Sequence, residues 1–243
     1  MGVHEIWLTR LFNDHLAGLG NTILTTFGWH AQARPWVNFI TMQILVALIM
    51  IVLFLVLRST LSVDKPGKTQ QIFEVIYQFL RGESEDQIGH DAHKYFGYFA
   101  TVFLFILFSN LIGIIPGFES PTMHPSVPAG CALATFVYYN IAGVQANGVV
   151  QYLKHFAGPM WYLAPLIIPI EIISHMARPL SLTIRLYANM LAGEKVTTVF
   201  LGLTYFAVPA LFMGLHVFVS FLQAYIFVLL TMMYVNGAVA HEH

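Results

Sequence analysis

Seven residues in the C-terminal half of this chain have the chemistry to hold, pass or stop a proton: Glu171, His175, Arg185, Asn189, Glu194, His216 and Gln223. Glu171, His175, Arg178, Leu182, Arg185 and Asn189 follow steps of four, three, four, three and four, which puts them on one helical stripe. His216, Ser220 and Gln223 step by four and three along a second stripe. A carboxyl and an imidazole both titrate within reach of neutral pH, so Glu194 with His216, and Glu171 with His175, are candidate relays. Arg185 cannot relay, because its guanidinium keeps its proton up to a pH above about 12. The chain is apolar for dozens of residues on both sides of it, so this fixed charge lies at membrane depth. Placing it there costs at least ~2.5–3.5 kcal/mol, and it needs a partner, a water-filled cavity, or both.

The local surroundings of Arg185 are small. At helical spacing Ser181, Arg185, Ala188 and Ala192 share one face, which lets another helix approach closely with the arginine as its one charge.

The elements that must position these groups are membrane helices. Of the 243 residues 57% are hydrophobic and only 9% charged, against about 25% charged in a soluble domain. Apolar runs near 20 residues recur, which reads as one polytopic membrane domain over residues 1–243 and an all-α fold with five crossings. Residues 1–35 read as a short outer tail with a surface helix; Glu5 and Asp14 and the lack of a long apolar core argue against a cleaved leader. Spans are expected over 36–57, 95–115 and 129–146, with Trp36 at a membrane interface. Residues 70–89 carry an apolar stripe of Ile72, Val75, Ile76, Phe79 and Leu80, fitting either an amphipathic surface helix or a helix packed on the bundle. Residues 162–201 and 207–240 are the last two helices, each ~50–60 Å long if continuous against a hydrocarbon core of ~30 Å. They must tilt, kink or begin on the surface; Pro165, Pro169 and Pro179 are available to kink the first.

A turn near Leu203 to Phe206 makes these two helices an antiparallel hairpin. Constant register across it puts Gln223 at the depth of Arg185, and Glu194 with His216 together ~10–13 Å away by helical rise. Glu171 and His175 fall a similar distance off on the other side. Neither group crosses the membrane alone, and a fixed positive charge stands between them. Alternatives stay open for individual residues. Glu194 and His216 either relay protons or simply pair; Gln223 is a partner for Arg185 or interhelical glue; His175 is a relay or a hydrogen-bonded core histidine. Arg178 reads as structural, paired with Glu171 or reaching an interface, and Asn110 as glue first and channel residue second. Lys195 either neutralises Glu194 or snorkels outward.

Basic residues set an orientation. Arg58, Lys65, Lys68, Arg81, Lys94 and Lys154 fall on one side, so the N-terminus is expected outside and the C-terminus in the cytoplasm. No basic patch points to nucleic acid, and Cys131 alone gives no disulfide or metal framework. The scattered histidines, His241-Glu242-His243 among them, fit no metal site, and no phosphate-cradling loop, cofactor motif or HExxH appears.

Pro179, Ser181, Leu182, Arg185, Leu186, Asn189, Met190, Ala192, Gly193 and Glu194 together resemble the a subunit of the F-type ATP synthase. The resemblance extends to the run from His216 through Gln223 and back to Asn110-Leu-Ile-Gly, covering most of the chain from about Lys94 onward. It implies a non-catalytic, proton-translocating stator subunit in the bacterial inner membrane, with the last two helices tilted around a c-ring and with peripheral-stalk b subunits and lipid as neighbours. The implied mechanism has two offset half-channels leading to a c-ring Asp or Glu, separated by Arg185, and no cofactor. Family members often carry an Asp and an Asn entering the third span, where this chain has Pro128 and Gly130. Two other classes compete: a self-contained channel or secondary transporter, against which no internal repeat is evident, and a structural membrane anchor in which Arg185 is replaceable.

Overall fold

The computed structural model describes residues 5–26, 28, 30–62, 66–115, 117–149, 152, 164–203 and 207–239. Among these every regular element is helical: α1 (Trp7–Thr26), α2 (Asn38–Thr60), α3 (Lys68–Ile88), α4 (Ala92–Leu111), α5 (Ser126–Asn147), α6 (Ala164–Leu203) and α7 (Ala207–Val239), with short 3-10 turns after α3 and α4 and before α5. Five segments are long and apolar enough to cross a membrane: Asn38–Thr60, Ala92–Ile114, Ser126–Asn147, Ile167–Phe200 and Ala210–Val239. The chain is an all-α membrane protein. The loop carrying Lys154 and His155, the turn at 204–206 and the tail from 240 lie outside the described residues.

The core is organised on α7. Its buried residues Ser220, Gln223, Ala224, Phe227, Val228, Thr231, Met232, Val235 and Ala238 recur at steps of three and four, so nearly a whole face is turned inward. α3, α4, α5 and α6 all pack on it. On α4 the facing stripe is Phe99, Phe103, Ile106, Leu107 and Asn110; on α5 it is Pro128, Ala132, Thr135, Tyr139 and Ala142. α6 contributes far less, with Leu182, Leu186 and Met190 as its buried apolar residues. Its helix runs unbroken through Pro169 and Pro179 for 40 residues, about 60 Å, twice the hydrocarbon thickness.

α3 follows the second of the two readings its sequence allows. Leu80 is buried and Tyr77 meets Phe96 of α4 edge-on, so the helix is packed on the bundle, while Ile72 and Val75 stay exposed. Five charged residues between Glu74 and Asp86 keep it from being a span.

The N-terminal region is more ordered than a tail with a surface helix. Asn13 exchanges two hydrogen bonds with the backbone of Trp36, both at 3.0 Å, and Thr9 and Thr41 share one at 2.7 Å. At Leu16 the backbone leaves helical geometry (φ −120°), and the freed carbonyl accepts from the Trp36 indole at 2.9 Å. Trp36 is therefore a clamp on α1. Contacts spanning 20–32 positions leave no trace in local periodicity, which is why the sequence does not reveal this docking.

At Gly143 α5 comes close against α7. A Cβ there would stand 2.6 Å from the Tyr152 ring and 3.0 Å from the Ala238 carbonyl, on which Asn147 also donates at 3.0 Å. Gly143→Val must push α5 from α7 and is expected to cost about 1–3 kcal/mol. Gly97→Ala meets open space and is expected to be neutral or to stabilise by about 0.5–1 kcal/mol. Thermal unfolding midpoints of the purified protein in detergent check both.

Candidate functional site

Arg185 sits at the edge of the buried stripe of α6, between Leu182 and Leu186 and half-exposed. The residues sharing its outer face, Ser181, Ala188 and Ala192, are exposed, so this flank of α6 is left uncovered by the described residues. Among the described residues no carboxylate pairs with Arg185, and its hydrogen bond is a long one, Nη2 to Ser181 Oγ at 3.4 Å. A permanent charge in an apolar setting is thus presented on a surface of small side chains, where a second helix can come close.

α6 and α7 run antiparallel where they touch. The facing pairs are Arg178 with Tyr234, Asn189 with Gln223, Gly193 with His216, and Phe200 with Phe212: one number falls as the other rises. Gln223 is buried, and its Oε1 accepts from Asn189 Nδ2 at 2.7 Å. The register places Gln223 one turn along from Arg185, on Asn189. This bond ties the two helices together and leaves the guanidinium free of both amides.

One turn further on, His216 lies against Gly193. A Cβ at 193 would stand 3.0 Å from the imidazole Nδ1, so the absence of a side chain is what admits the ring. Among the described residues His216 Nε2 is buried without a hydrogen-bond partner, as is Ser220 Oγ on the next turn. Beside them a cavity of about 260 Å³ opens between the helices, bounded by Asn189, Gly193, Thr197 and His216. Buried polar groups of this kind fit a site that admits water or a proton. Glu194, half-buried, makes no hydrogen bond to His216 among the described residues; it lies within electrostatic range of Glu119 and Lys195.

Around Glu119 lies a polar cluster that the sequence does not single out. Asn38 donates to its carboxylate at 3.3 Å. Close by, Ser120 and Thr122 share a hydrogen bond at 2.7 Å, Thr122 donates to Asn110 Oδ1 at 2.7 Å, and Asn110 reaches the Ser220 carbonyl at 3.4 Å. Asn110 is therefore glue between α4 and α7 and also ties both to the Thr122 turn. The individual serines and threonines carry no sequence signal, since each is an ordinary residue until the fold stacks them.

On the other side of Arg185, His175 is buried at 8% exposure, with the Tyr139 hydroxyl at 3.2 Å and Asn140 Oδ1 at 3.0 Å from Nε2. Tyr152 also donates to Asn140 Oδ1, at 2.8 Å. Glu171 faces Arg178 at 3.7 Å, and Arg178 lies 5.2 Å from the Tyr234 ring centroid. Arg178 is thus braced by a carboxylate and a ring, whereas Arg185, seven residues on, is not. Of the sequence-derived residues the structure joins Asn189 to Gln223 and seats His216 against Gly193, next to Glu194 in the chain, while His175 and Glu171 lie one turn apart on the other side of Arg185 with partners of their own. It adds Glu119, Tyr139, Asn140 and Tyr152.

A family model described as ATP synthase A chain matches residues 39–236. The chain is 68% identical over 233 residues to "ATP synthase subunit a" of Solibacter usitatus, covering 96% of this chain and all of that one. It is 47% identical over 243 residues to the protein of the same name from Koribacter versatilis, covering 99% of each. Against "ATP synthase subunit a" of Geotalea daltonii it is 39% identical over 241 residues, covering 99% of this chain and all of that one. Matches of this extent place the chain in the ATP synthase A chain family.

Proposed function

We propose that this chain is the proton-translocating stator subunit of a rotary F-type ATP synthase, non-catalytic toward ATP, whose chemistry resides on other subunits. The observation that carries the reading is Arg185: a charge at membrane depth with no carboxylate partner among the described residues, on an exposed face of Ser181, Ala188 and Ala192. The partner it lacks is supplied in trans, by the carboxylates of a c-ring turning past α6. Ionised, such a carboxylate is held by the guanidinium; protonated, it is neutral and can pass into lipid.

The proton therefore leaves on one side of Arg185 and is reloaded on the other. The outer half-path comprises Glu194, His216, the cavity beside it and the contact of Asn110 with Ser220. Pro128 and Gly130 cannot titrate, and Glu119 supplies the entrance carboxylate instead. The inner half-path starts at Glu171 and His175. Each proton crossing 100 mV releases about 2.3 kcal/mol, enough to bias rotation. In this arrangement α6 and α7 form a tilted hairpin against the ring, b subunits of the peripheral stalk hold the chain still, and the N-terminus lies outside the bacterial inner membrane with the C-terminus in the cytoplasm.

Arg185→Ala in the assembled complex, in sealed vesicles, is expected to reduce ATP-driven acidification to background while subunit stoichiometry is unchanged. Pumping at the wild-type rate would contradict the assignment. Glu194→Gln and His216→Ala are each expected to slow pumping without abolishing assembly. The joint is structural: Asn189→Ala and Gln223→Ala are expected to couple by about 0.6 kcal/mol in a double-mutant cycle read from unfolding in detergent.

A further inference from the structure

α2 leaves the bundle as it descends. Its buried residues, Asn38, Thr41, Met42, Val46 and Met50, all lie in the first thirteen positions of a 23-residue helix. Past Met50 no residue is buried, and Phe54, Leu55 and Val56 are exposed. The last turns of α2 therefore stand off from α3 and α4, and a wedge-shaped groove of about 400 Å³ opens between the three helices. Leu80 and Leu104, both almost fully buried, form its floor, and Phe54 and Phe73, with ring centroids 6.2 Å apart, form one wall. The lining is apolar except at one end, where Arg58, Gln70 and Glu74 meet it.

That end has a definite charge pattern. Arg58 is exposed in the last turn of α2, where the span meets the membrane surface, and it has no ion pair or side-chain hydrogen bond among the described residues. Glu74 accepts one hydrogen bond, from Gln70 Nε2 at 2.7 Å on Oε1, and Gln70 is itself held by the backbone of Ser62. The mouth thus offers one free cation and one positioned carboxylate above an apolar slot. A single anion would be attracted by Arg58 and repelled by Glu74. A headgroup bearing both a phosphate and an ammonium satisfies both.

We propose that this groove is a binding site for one phosphatidylethanolamine-type phospholipid, its phosphate on Arg58, its ammonium beside Glu74 and one acyl chain between Phe54, Phe73 and Leu104. The size favours a chain over a helix. A helix 10–12 Å across fills roughly 400–600 Å³ per turn, so the groove would bury about one turn of a crossing helix, whereas it has the volume of a small-ligand pocket. A lipid seated there fills the wedge and holds the free end of α2 against α3 and α4.

The test uses the assembled complex in vesicles of phosphatidylethanolamine and phosphatidylglycerol, with a trace of either lipid carrying a photoactivatable diazirine in its acyl chain. Labelled peptides are mapped by mass spectrometry. The ethanolamine probe is expected to label peptides containing Phe54, Phe73 and Leu104, and labelling should fall at least about tenfold in Arg58→Gln, the loss of a charged hydrogen bond. Ala100→Trp, which fills the groove from α4, should abolish it; pumping by both variants reports that they assemble. Undiminished labelling of Arg58→Gln would overturn the headgroup site and leave only annular lipid. Equal labelling by the glycerol probe would overturn the role of Glu74. Absence of lipid label together with cross-links from α2 to another subunit would overturn the proposal in favour of a protein interface.

Discussion

A guanidinium that cannot lose its proton, held where water is scarce, is the constraint on which this structure turns. Most ionisable groups escape such a setting by becoming neutral; Arg185 has no neutral form within reach. Nor does any described residue cancel its charge. The contrast with Arg178 makes the point: on the same helix, seven residues away, that arginine has Glu171 and the Tyr234 ring, while among the described residues Arg185 has Ser181 at 3.4 Å. A charge left open on a flank of small residues is a cost in the isolated chain that a carboxylate from outside can offset. The proposed mechanism follows from that asymmetry.

Holding the arginine at a fixed depth is the work of α7. Its long buried face anchors the bundle, and α6 is fastened to it at a few points: Arg178 to Tyr234, Asn189 to Gln223, Gly193 to His216 and Phe200 to Phe212. Three of these four contacts are polar or admit a polar ring. The same residues that fix the geometry of α6 thus form the walls of the polar groups beside Arg185, and much of the rest of α6 is exposed, including Ile172, Ile173, Leu180 and Ile184. A helix with so little of its surface buried against its own chain is built to be covered by something else.

The helices and the two stripes were legible in the sequence because they depend on period alone: hydropathy marks the spans, and steps of three and four mark the faces. The depth of His216 opposite Gly193, beside Glu194, also follows from counting along an antiparallel pair. Equal counting sets Gln223 level with Arg185, whereas Gln223 meets Asn189 one turn along, because side-chain reach and the local approach of the helices decide partners within a turn. What lay beyond period was not legible. The docking of α1 through Asn13, Thr9 and Trp36, the bond from Tyr139 to His175 and the bond from Thr122 to Asn110 join residues 12 to 36 positions apart by one or two hydrogen bonds each. Glu119 carries no sequence signal for the same reason: a carboxylate in a turn acquires meaning only once the fold sets it within electrostatic range of Glu194.

The central claim is that two aqueous half-paths approach Arg185 from opposite sides and do not join. Side-resolved chemical access tests it most directly. Cys131 is first replaced by serine, and a single thiol is then introduced at Thr197, beside the His216 cavity, or at Glu171. Sealed vesicles of known orientation are exposed to silver ions on one face only, and protection of the thiol from a later maleimide is quantified. Thr197→Cys should be protected only from the outer face and Glu171→Cys only from the cytoplasmic face. Protection of either thiol from both faces, or of both from the same face, would contradict two separated half-paths.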